Sequence, residues 1–261
     1  MKPTSRLHGD EVTRIQALLA KHPTLSLDFD GALTALADGP DNRSALLGAA
    51  GRGVALGIDF DTLTVRTTYG DLSEAEIRTA TATPRRAELH IQDRHLPAAR
   101  AALANRFTAV HTLRDYRLDL DGRTFAPDPR CRRLTSSDGR EVAGLFQHYG
   151  DTIFSTWMLD QPFFGLFEGG HLLAAGGVVV QSRRLRSANL GNFLTRPDRR
   201  GRGLARAVVR TLAATLRAEG CSVVTLSTYA ANEAACRAYE AVGFELFDSR
   251  LQVNVRAAEP V

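Results

Sequence analysis

The chain has 261 residues, enough for two compact domains of about 130 residues each. Its apolar content of 44%, charged content of 24% and net charge of +4 are ordinary for a globular protein and exclude a disordered or fibrous chain. Nucleic-acid-binding proteins usually carry a denser basic stripe than this small excess allows, so we expect no nucleic-acid partner.

The sequence also bears on membranes, metals and compartment. No stretch approaches the ~18 unbroken apolar residues of a membrane span, and the first ten residues are polar, without the apolar core of a secretory signal. Cys131, Cys221 and Cys236 have no short paired spacing, which argues against a disulfide framework or a zinc knuckle and predicts a reducing cytoplasm. The seven histidines are scattered without metal-ligand spacing, so we expect no metal. The lack of an apolar span predicts no membrane partner.

In the first half, helices and strands are predicted from hydrophobic spacing. Apolar residues at helical intervals predict a helix over 10–21 and a second helical piece near 32–37. Ser73, followed three residues later by Glu76, predicts the capped start of a helix over 73–79. The other elements predicted here are strands over 45–49, 54–58, 63–67 and 87–91, a helix over 96–106, and a strand pair over 110–120.

A break in regular structure divides the chain almost in half. Between residues 121 and 129, Gly122, Pro127 and Pro129 interrupt any helix or strand. This segment predicts two domains, over 1–122 and 130–261.

The second half alternates strands and helices. Ser136 or Ser137 is predicted to cap a helix running to about residue 149, and Gly243 to end a helix over 232–242. The remaining predicted elements are strands over 131–134, 163–167, 172–180, 188–195, 222–228, 244–247 and 251–255, and helices over 152–159 and 205–219. This order predicts a mixed α/β layer fold.

A glycine-arginine loop, Arg200-Gly201-Arg202-Gly203-Leu204-Ala205, joins a predicted strand to a predicted helix. Glycines at a helix start let main-chain N–H groups approach a phosphate closely, and the helix N-terminus supplies partial positive charge. An ordinary solvated helix start would have the same composition, so the loop alone leaves both interpretations open.

A second motif follows the next strand. Asn232 precedes a predicted helix, Ala235 and Tyr239 come three and seven residues later near one helical face, and Gly243-Phe244 closes the helix. A phenol is neutral at pH 7, can donate one proton and packs in a dry cleft. Tyr239 is therefore a candidate acid, or else a core tyrosine, and Asn232 is a ligand contact, a helix cap, or both.

Together the two motifs resemble the signatures of the GNAT superfamily of acyl-CoA-dependent N-acyltransferases. The resemblance implies two GNAT-like domains, each a mostly antiparallel twisted sheet flanked by helices, and acetyl-CoA as cosubstrate. It implies that main-chain N–H groups hold the coenzyme diphosphate, that Asn232 contacts the pantetheine arm, and that Tyr239 protonates the leaving thiolate. The implied coenzyme-binding residues are Phe193, Leu194, Thr195, Arg200, Gly201, Arg202, Gly203, Leu204, Ala205, Arg206, Asn232 and Tyr239.

The implied reaction is direct attack of a primary amine, on a small molecule or a peptide, in a ternary complex. A main-chain N–H near Leu194 would polarise the thioester carbonyl. The protein itself is expected to be a monomer or homodimer. A non-catalytic acyl-CoA-binding sensor or scaffold is the alternative function, and a longer acyl donor stays open.

The group that removes a proton from the amine is not identified by the sequence. The strand over 188–195 has no carboxylate. The remaining candidates, among which the sequence does not choose, are Tyr149, Asp151, Asp160, Glu168 and His171. A water oriented by Asn192, a water chain, or an amine that arrives already deprotonated are the alternatives.

The two halves can be aligned at a fixed offset of 137 residues, which predicts an internal duplication. Leu89 then meets Leu226, but His95 stands at the position of Asn232 and Ala102 at that of Tyr239. The first half would be a degenerate copy without coenzyme motifs; two unrelated α/β halves are the alternative.

Overall fold

A computed structural model describes residues 1–34, 43–59, 63–149 and 154–258. The chain forms two compact units that are not consecutive halves of the sequence. Unit 1 comprises Met1–Arg114, Tyr229–Ala231 and Asp248–Val261, and unit 2 comprises Asp115–Thr228 and Asn232–Phe247. The division into repeats at 1–122 and 130–261 stays a prediction, and its boundary falls in the irregular segment between residues 120 and 130.

The described residues form seven α-helices and twelve strands. The helices are α1 Gly9–Leu19, α2 Pro23–Thr34, α3 Glu74–Thr81, α4 Leu96–Leu103, α5 Gly139–Tyr149, α6 Leu204–Ala218 and α7 Glu233–Glu240. The strands are β1 Lys2–Pro3, β2 Arg43–Leu47, β3 Gly53–Asp59, β4 Thr64–Gly70, β5 Ala87–Ile91, β6 Phe107–Asp119, β7 Cys131–Arg133, β8 Phe163–Glu168, β9 His171–Ser182, β10 Ser187–Thr195, β11 Val223–Tyr229 and β12 Glu245–Val255. None of these helices is long and apolar enough to cross a lipid bilayer.

In unit 1, β1 to β4 pair antiparallel in sequence order, and β4 pairs parallel with β5. The last strand of the chain, β12, pairs antiparallel with β5, from Leu251–Ile91 to Val255–Ala87. Helices α1 and α2 pack on β2 and β3 in one apolar cluster, and α3 and α4 pack on β5 and β12 in another. The final strand of unit 1 thus comes from the other half of the chain.

Unit 2 has the reciprocal arrangement. Strands β7 to β10 are antiparallel, β10 pairs parallel with β11, and β6 lies beside β11. The largest core cluster joins α6 and α7 to β9, β10, β11 and β6, while α5 packs with β8 and β9 in a second cluster. Each unit is an α/β layer structure with a mostly antiparallel sheet, as the sequence predicted.

Some predicted elements are longer or begin elsewhere. The strand pair over 110–120 is the single strand β6, and the strands over 244–247 and 251–255 are the single strand β12. Asp115 and Asp248, which suggest turns, are tolerated within strands because Ser227 and His22 bind their carboxyl groups.

Helix boundaries also differ from the prediction, most clearly in the following segments. The helical piece near 32–37 is α2, which begins at Pro23, where proline suits a first turn; residues 35–37 lie outside the described residues. Thr135, not a serine, caps the segment before α5, through a capping box with Asp138. The helix predicted over 96–106 ends at Leu103 and continues as a 3₁₀ turn, and the one over 152–159 is a 3₁₀ helix, Thr156–Asp160.

The end of α7 provides a test of local backbone strain. Gly243 has φ +105°, and its replacement by alanine forces a side chain into a conformation that costs about 1–2 kcal/mol. We expect Gly243→Ala to lower the free energy of unfolding by that amount in a denaturant titration.

Gly144 is the matched control because it lies in α5, is exposed and has nothing within 4 Å of the place that an added Cβ atom would take. Gly144→Ala should raise stability by about 0.5–1 kcal/mol, since alanine is the better helix former. Equal effects of the two changes would contradict the assignment of strain to residue 243.

Candidate functional site

The loop after β10 presents an open helix N-terminus. Gly201 and Gly203 both have φ +74°, and Gly203 is the N-cap of α6 without a side-chain cap. The first helical hydrogen bond runs from the N–H of Ala207 to the carbonyl of Gly203, so the N–H groups of the first turn, up to Arg206, have no helical partner. A Cβ at Gly201 would meet nothing within 4 Å. These open donors and the helix dipole fit a diphosphate.

The arginines of the loop have different partners. Arg202 forms an exposed ion pair with Glu168 at 3.3 Å, and the carboxylate of Glu168 also lies 3.8 Å from Arg199. The Nε of Arg200 donates to the carbonyl of Thr195 at 3.4 Å. The guanidinium of Arg206 lies closest to the open turn, 3.3 Å from the position of a Cβ on Gly203. Arg206 is therefore the loop arginine best placed to meet an anion bound there.

A gap opens between β10 and β11 directly before this loop. Their parallel pairing runs from Ser187–Val223 to Leu190–Leu226 and then ends, although both strands continue. On its other edge β10 has a bulge, because Gly191 pairs with Gly177 but the next pair is Leu194–Ala175. The loss of pairing leaves a cleft, whose β10 side is formed by residues 191–195.

The bulge turns Phe193 across the neighbouring strand. Asn192 has φ +53°, and its side-chain amide donates to the sulfur of Met158 at 3.0 Å. A Cβ on Gly176 would overlap the ring of Phe193, so only glycine on β9 permits this position. The Phe193 and Tyr239 rings then lie 5.8 Å apart. Two predicted site residues are thus brought together.

Tyr239 lies in an aromatic group on the inner side of α7. Its ring is 6.2 Å from those of Tyr116 and Phe244, and the residue is 5% exposed. No hydrogen bond joins its hydroxyl to another of the described residues, and burial raises the pKa of the phenol well above its ordinary value. The phenol is therefore neutral at pH 7. Tyr116, by contrast, donates to Glu240 at 2.9 Å.

Asn232 caps α7, as the sequence allowed. Its Oδ1 accepts a hydrogen bond from the N–H of Ala235 at 3.2 Å, and the residue is exposed. Capping uses the carbonyl oxygen alone, which leaves the side-chain NH₂ group to donate to a ligand. The helix ends at Glu240, two residues before the predicted end, and the N–H of Phe244 bonds back to the carbonyl of Tyr239 beyond Gly243.

A basic cavity of about 600 Å³ lies beside α6 and the end of α7. Arg206 and Arg210, one turn apart on α6, line it together with Arg123, Phe125 and Val242. Sequence reasoning missed Arg210, although its spacing from Arg206 places both on one helical face. Arg123 lies in the irregular segment and had no sequence signal.

The sequence candidates for a base fall into three groups in the structure. Glu168 pairs with Arg199 and Arg202, which makes it a neutralising partner of the loop. Asp151 and the side chain of Tyr149 lie outside the described residues. The structure does not bring Asp160 or His171 into contact with Tyr239 or the loop glycines within the described residues.

Unit 1 has a cavity of about 360 Å³ at the corresponding helix starts, with different chemistry. Asp71 occupies the turn before α3 and is held by Arg52 at 3.2 Å and Arg94 at 3.0 Å. Ser73 caps α3 in the predicted capping box with Glu76, so side chains already satisfy this helix start. The carboxylates here disfavour a phosphate.

Residues 129–244 match the model of the Acetyltransferase (GNAT) family, the family that the two signatures resemble. No curated protein matches the sequence.

Solved structures share the fold over nearly the whole chain. A GCN5-related N-acetyltransferase from Sphaerobacter thermophilus has a TM-score of 0.66 at 15% identity, covering 98% of this chain and 96% of its own. One from Kribbella flavida has a TM-score of 0.60 at 13% identity, covering 92% and 95%. A tandem GNAT protein from the clavulanic acid biosynthesis pathway has a TM-score of 0.58 at 14% identity, covering 97% and 96%. At these identities the likeness establishes the fold.

The close approach of Gly176 and Phe193 predicts a specific packing defect. Gly176→Ala should displace the Phe193 ring and lower the free energy of unfolding by about 1–3 kcal/mol, the usual cost of overpacking. The near-ultraviolet circular dichroism signal of the aromatic group should change with it.

The companion change is Phe193→Leu, which removes the ring that the added methyl group meets. In the double variant the loss of stability should be smaller than the sum of the two single losses. Without the Phe193 ring, the methyl group added at position 176 no longer overlaps it. Strict additivity in denaturant titrations would show that residue 176 does not position Phe193.

Proposed function

We propose that the protein is an N-acetyltransferase that transfers the acetyl group of acetyl-CoA to a primary amine of a small molecule or peptide. The single observation that carries the proposal is the open N-terminus of α6, at Gly201 and Gly203, beside the cleft between β10 and β11. Acetyl-CoA supplies an activated thioester, and the amine attacks it directly. The family match over residues 129–244 supports acyl transfer in general.

The proposed coenzyme contacts follow the direction of the cleft. The N–H groups from Gly201 to Arg206 hold the diphosphate, and Phe193, Leu194 and Thr195 line the pantetheine arm. The cavity with Arg206 and Arg210 takes the phosphorylated nucleoside, where guanidinium groups bind a phosphate monoester.

The bulge of β10 supplies the proposed oxyanion donor. In the described ladder Asn192 and Phe193 have no register partner on β9, and we assign a main-chain N–H of this segment, near Leu194, to the thioester oxygen. A fixed donor of this kind stabilises negative charge on the thioester oxygen during attack, without reorganisation.

Tyr239 is the proposed acid for the leaving sulfur. The pKa of an ordinary phenol already lies above that of a thiol, and burial raises the pKa of Tyr239 further. The phenol therefore acts first by donating a hydrogen bond to the developing thiolate. The dry aromatic surroundings strengthen that bond.

Replacing Tyr239 by phenylalanine tests this role. A hydrogen bond to a charged group contributes about 1.5–3 kcal/mol, so kcat with acetyl-CoA and the best amine of a panel should fall about 10- to 100-fold. Stability should hardly change, because the described residues give the hydroxyl no partner.

Tyr116→Phe is the matched control, a neighbouring phenol in the same aromatic group whose hydroxyl binds Glu240. It should retain kcat while losing some stability. A wild-type protein that binds acetyl-CoA and acetylates no amine would instead be a sensor or scaffold, and the proposal would be wrong.

The glycine loop is tested separately through affinity. Gly203→Ala places a methyl group 3.3 Å from the Arg206 guanidinium, in the path of the anion, and should raise the Kd for acetyl-CoA about 10-fold by weakening one charged hydrogen bond. Isothermal titration calorimetry measures this change.

Gly220→Ala is the control at the other end of α6. Gly220 also has a positive φ, +91°, and nothing lies within 4 Å of its added Cβ. Both variants should carry a similar strain cost in unfolding, but only Gly203→Ala should weaken coenzyme binding. Unchanged binding by both variants would remove the loop from the proposed site.

A further inference from the structure

A buried carboxyl group lies opposite a hydroxyl beside the cleft. Asp115 on β6 is 0% exposed, and the Ser227 hydroxyl on β11 donates a hydrogen bond to its Oδ1. The register of β6 and β11 agrees with this contact. The N–H of Leu120 donates to the carbonyl of Ser222. Because the strands are antiparallel, five residues back from Leu120 and five residues on from Ser222 place Asp115 opposite Ser227. Directly opposed residues share a face, so the pair is built into the sheet.

Ser227 stands where β11 leaves β10. It is the first residue of β11 beyond the last pair, Leu190–Leu226. Val224 and Leu226 belong to the core cluster under α6, and strand alternation therefore puts Ser227 on the opposite face. Its side chain is half-buried, in keeping with a position at the margin of the cleft.

The same alternation separates Asp115 from the proposed acid. Tyr116, the next residue of β6, shares the core cluster with Tyr239. Asp115 must then face the other side of the sheet, with Ser227. The cleft between β10 and β11 thus has a phenol on one face and a hydroxyl-carboxyl pair on the other.

A proton acceptor is required at this place for the proposed acyl transfer. An alkylamine is largely an ammonium ion at pH 7 and has no lone pair for attack until it loses a proton. The cleft strand β10 has no carboxylate, and Glu168 at the end of β8 is engaged by arginines. Among the described residues of unit 2, Asp115 combines a carboxyl group with a relay to the cleft margin.

We infer that Ser227 and Asp115 deprotonate the acceptor amine. The inference rests on the proposed acetyl transfer. The Ser227 hydroxyl contacts the ammonium ion and takes one of its protons while passing its own proton to Oδ1 of Asp115. Ser227 is the catalytic residue in this step, and Asp115 is a positioning residue and proton store that acts through it.

The protons and bonds balance. The nitrogen lone pair freed by this transfer forms the N–C bond to the acetyl group, and the C–S bond breaks. Tyr239 gives its proton to the sulfur, and the second proton that nitrogen loses passes through solvent to the Tyr239 phenolate, which restores the phenol. The proton on Asp115 returns to solvent through Ser227 after product leaves.

The test compares acceptors that need deprotonation with acceptors that do not. The probes are the best alkylamine of the wild-type panel and its alkoxyamine analogue, in which oxygen replaces the CH₂ beside nitrogen and which is neutral at pH 7. With the alkylamine, Ser227→Ala and Asp115→Asn should lower kcat about 10²- to 10⁴-fold, the usual contribution of a general base. With the alkoxyamine, both should stay within a few-fold of wild type.

Three controls separate chemistry from structure. Ser227→Thr keeps the hydroxyl and should retain most activity with the alkylamine. Ser222→Ala removes a hydroxyl just before β11 that binds the carbonyl of Arg186, and should act like wild type. The KM for acetyl-CoA should be unchanged in every variant. If Asp115→Asn does not fold, Ser227→Ala alone tests the inference.

The outcomes distinguish this inference from the proposed function. Equal losses with both acceptors, or full activity of Ser227→Ala with the alkylamine, overturn the inference while acetyl transfer stands. A wild-type protein that acetylates neither acceptor overturns both.

Discussion

The candidate site depends on one interruption of backbone pairing, the end of the β10–β11 ladder after Leu190–Leu226. Adjacent parallel strands normally stay paired because unpaired buried N–H and C=O groups are costly. Here β10 bulges at Asn192 on its other edge, and the two strands separate. The opening of the sheet therefore leaves backbone groups of both strands for an extended ligand to pair with, which is the place of the proposed coenzyme arm.

The charge that the site favours follows from the N–H groups that have no helical partner at the start of α6. A serine or aspartate at the N-cap of α6 would satisfy the first N–H groups, but Gly203 has no side chain to do so. The neighbouring arginines would repel one another without an anion, and Glu168 relieves this only through exposed pairs, which contribute little. The loop is thus arranged for a strongly charged, compact ligand.

The sequence predicted the parts of this site that depend on local rules. The helix starts at Ser73 and Asn232 follow from capping chemistry that a few neighbouring residues decide, and the structure confirms them. From the sequence alone, the aspartates within β6 and β12 indicate strand ends. The residues that bind their carboxyl groups and so allow them within a strand, such as Ser227 for Asp115, are distant along the chain. For the same reason the Asp115–Ser227 pair could not be found from the sequence.

Unit 1 keeps its own parallel strands paired. Strands β4 and β5 pair up to Thr68–Ile91, where β5 ends. His95 stands at the start of α4, as Asn232 does at α7, but both its ring nitrogens are engaged, with the Thr68 hydroxyl at 2.8 Å and the Gly70 carbonyl at 3.1 Å. A carbonyl only accepts, so Nε2 carries the proton, and burial lowers the pKa of the imidazole, which keeps it neutral. A neutral histidine therefore ties the end of β4 to the start of α4, whereas in unit 2 the parallel pairing of β10 and β11 ends at Leu190–Leu226 although both strands continue.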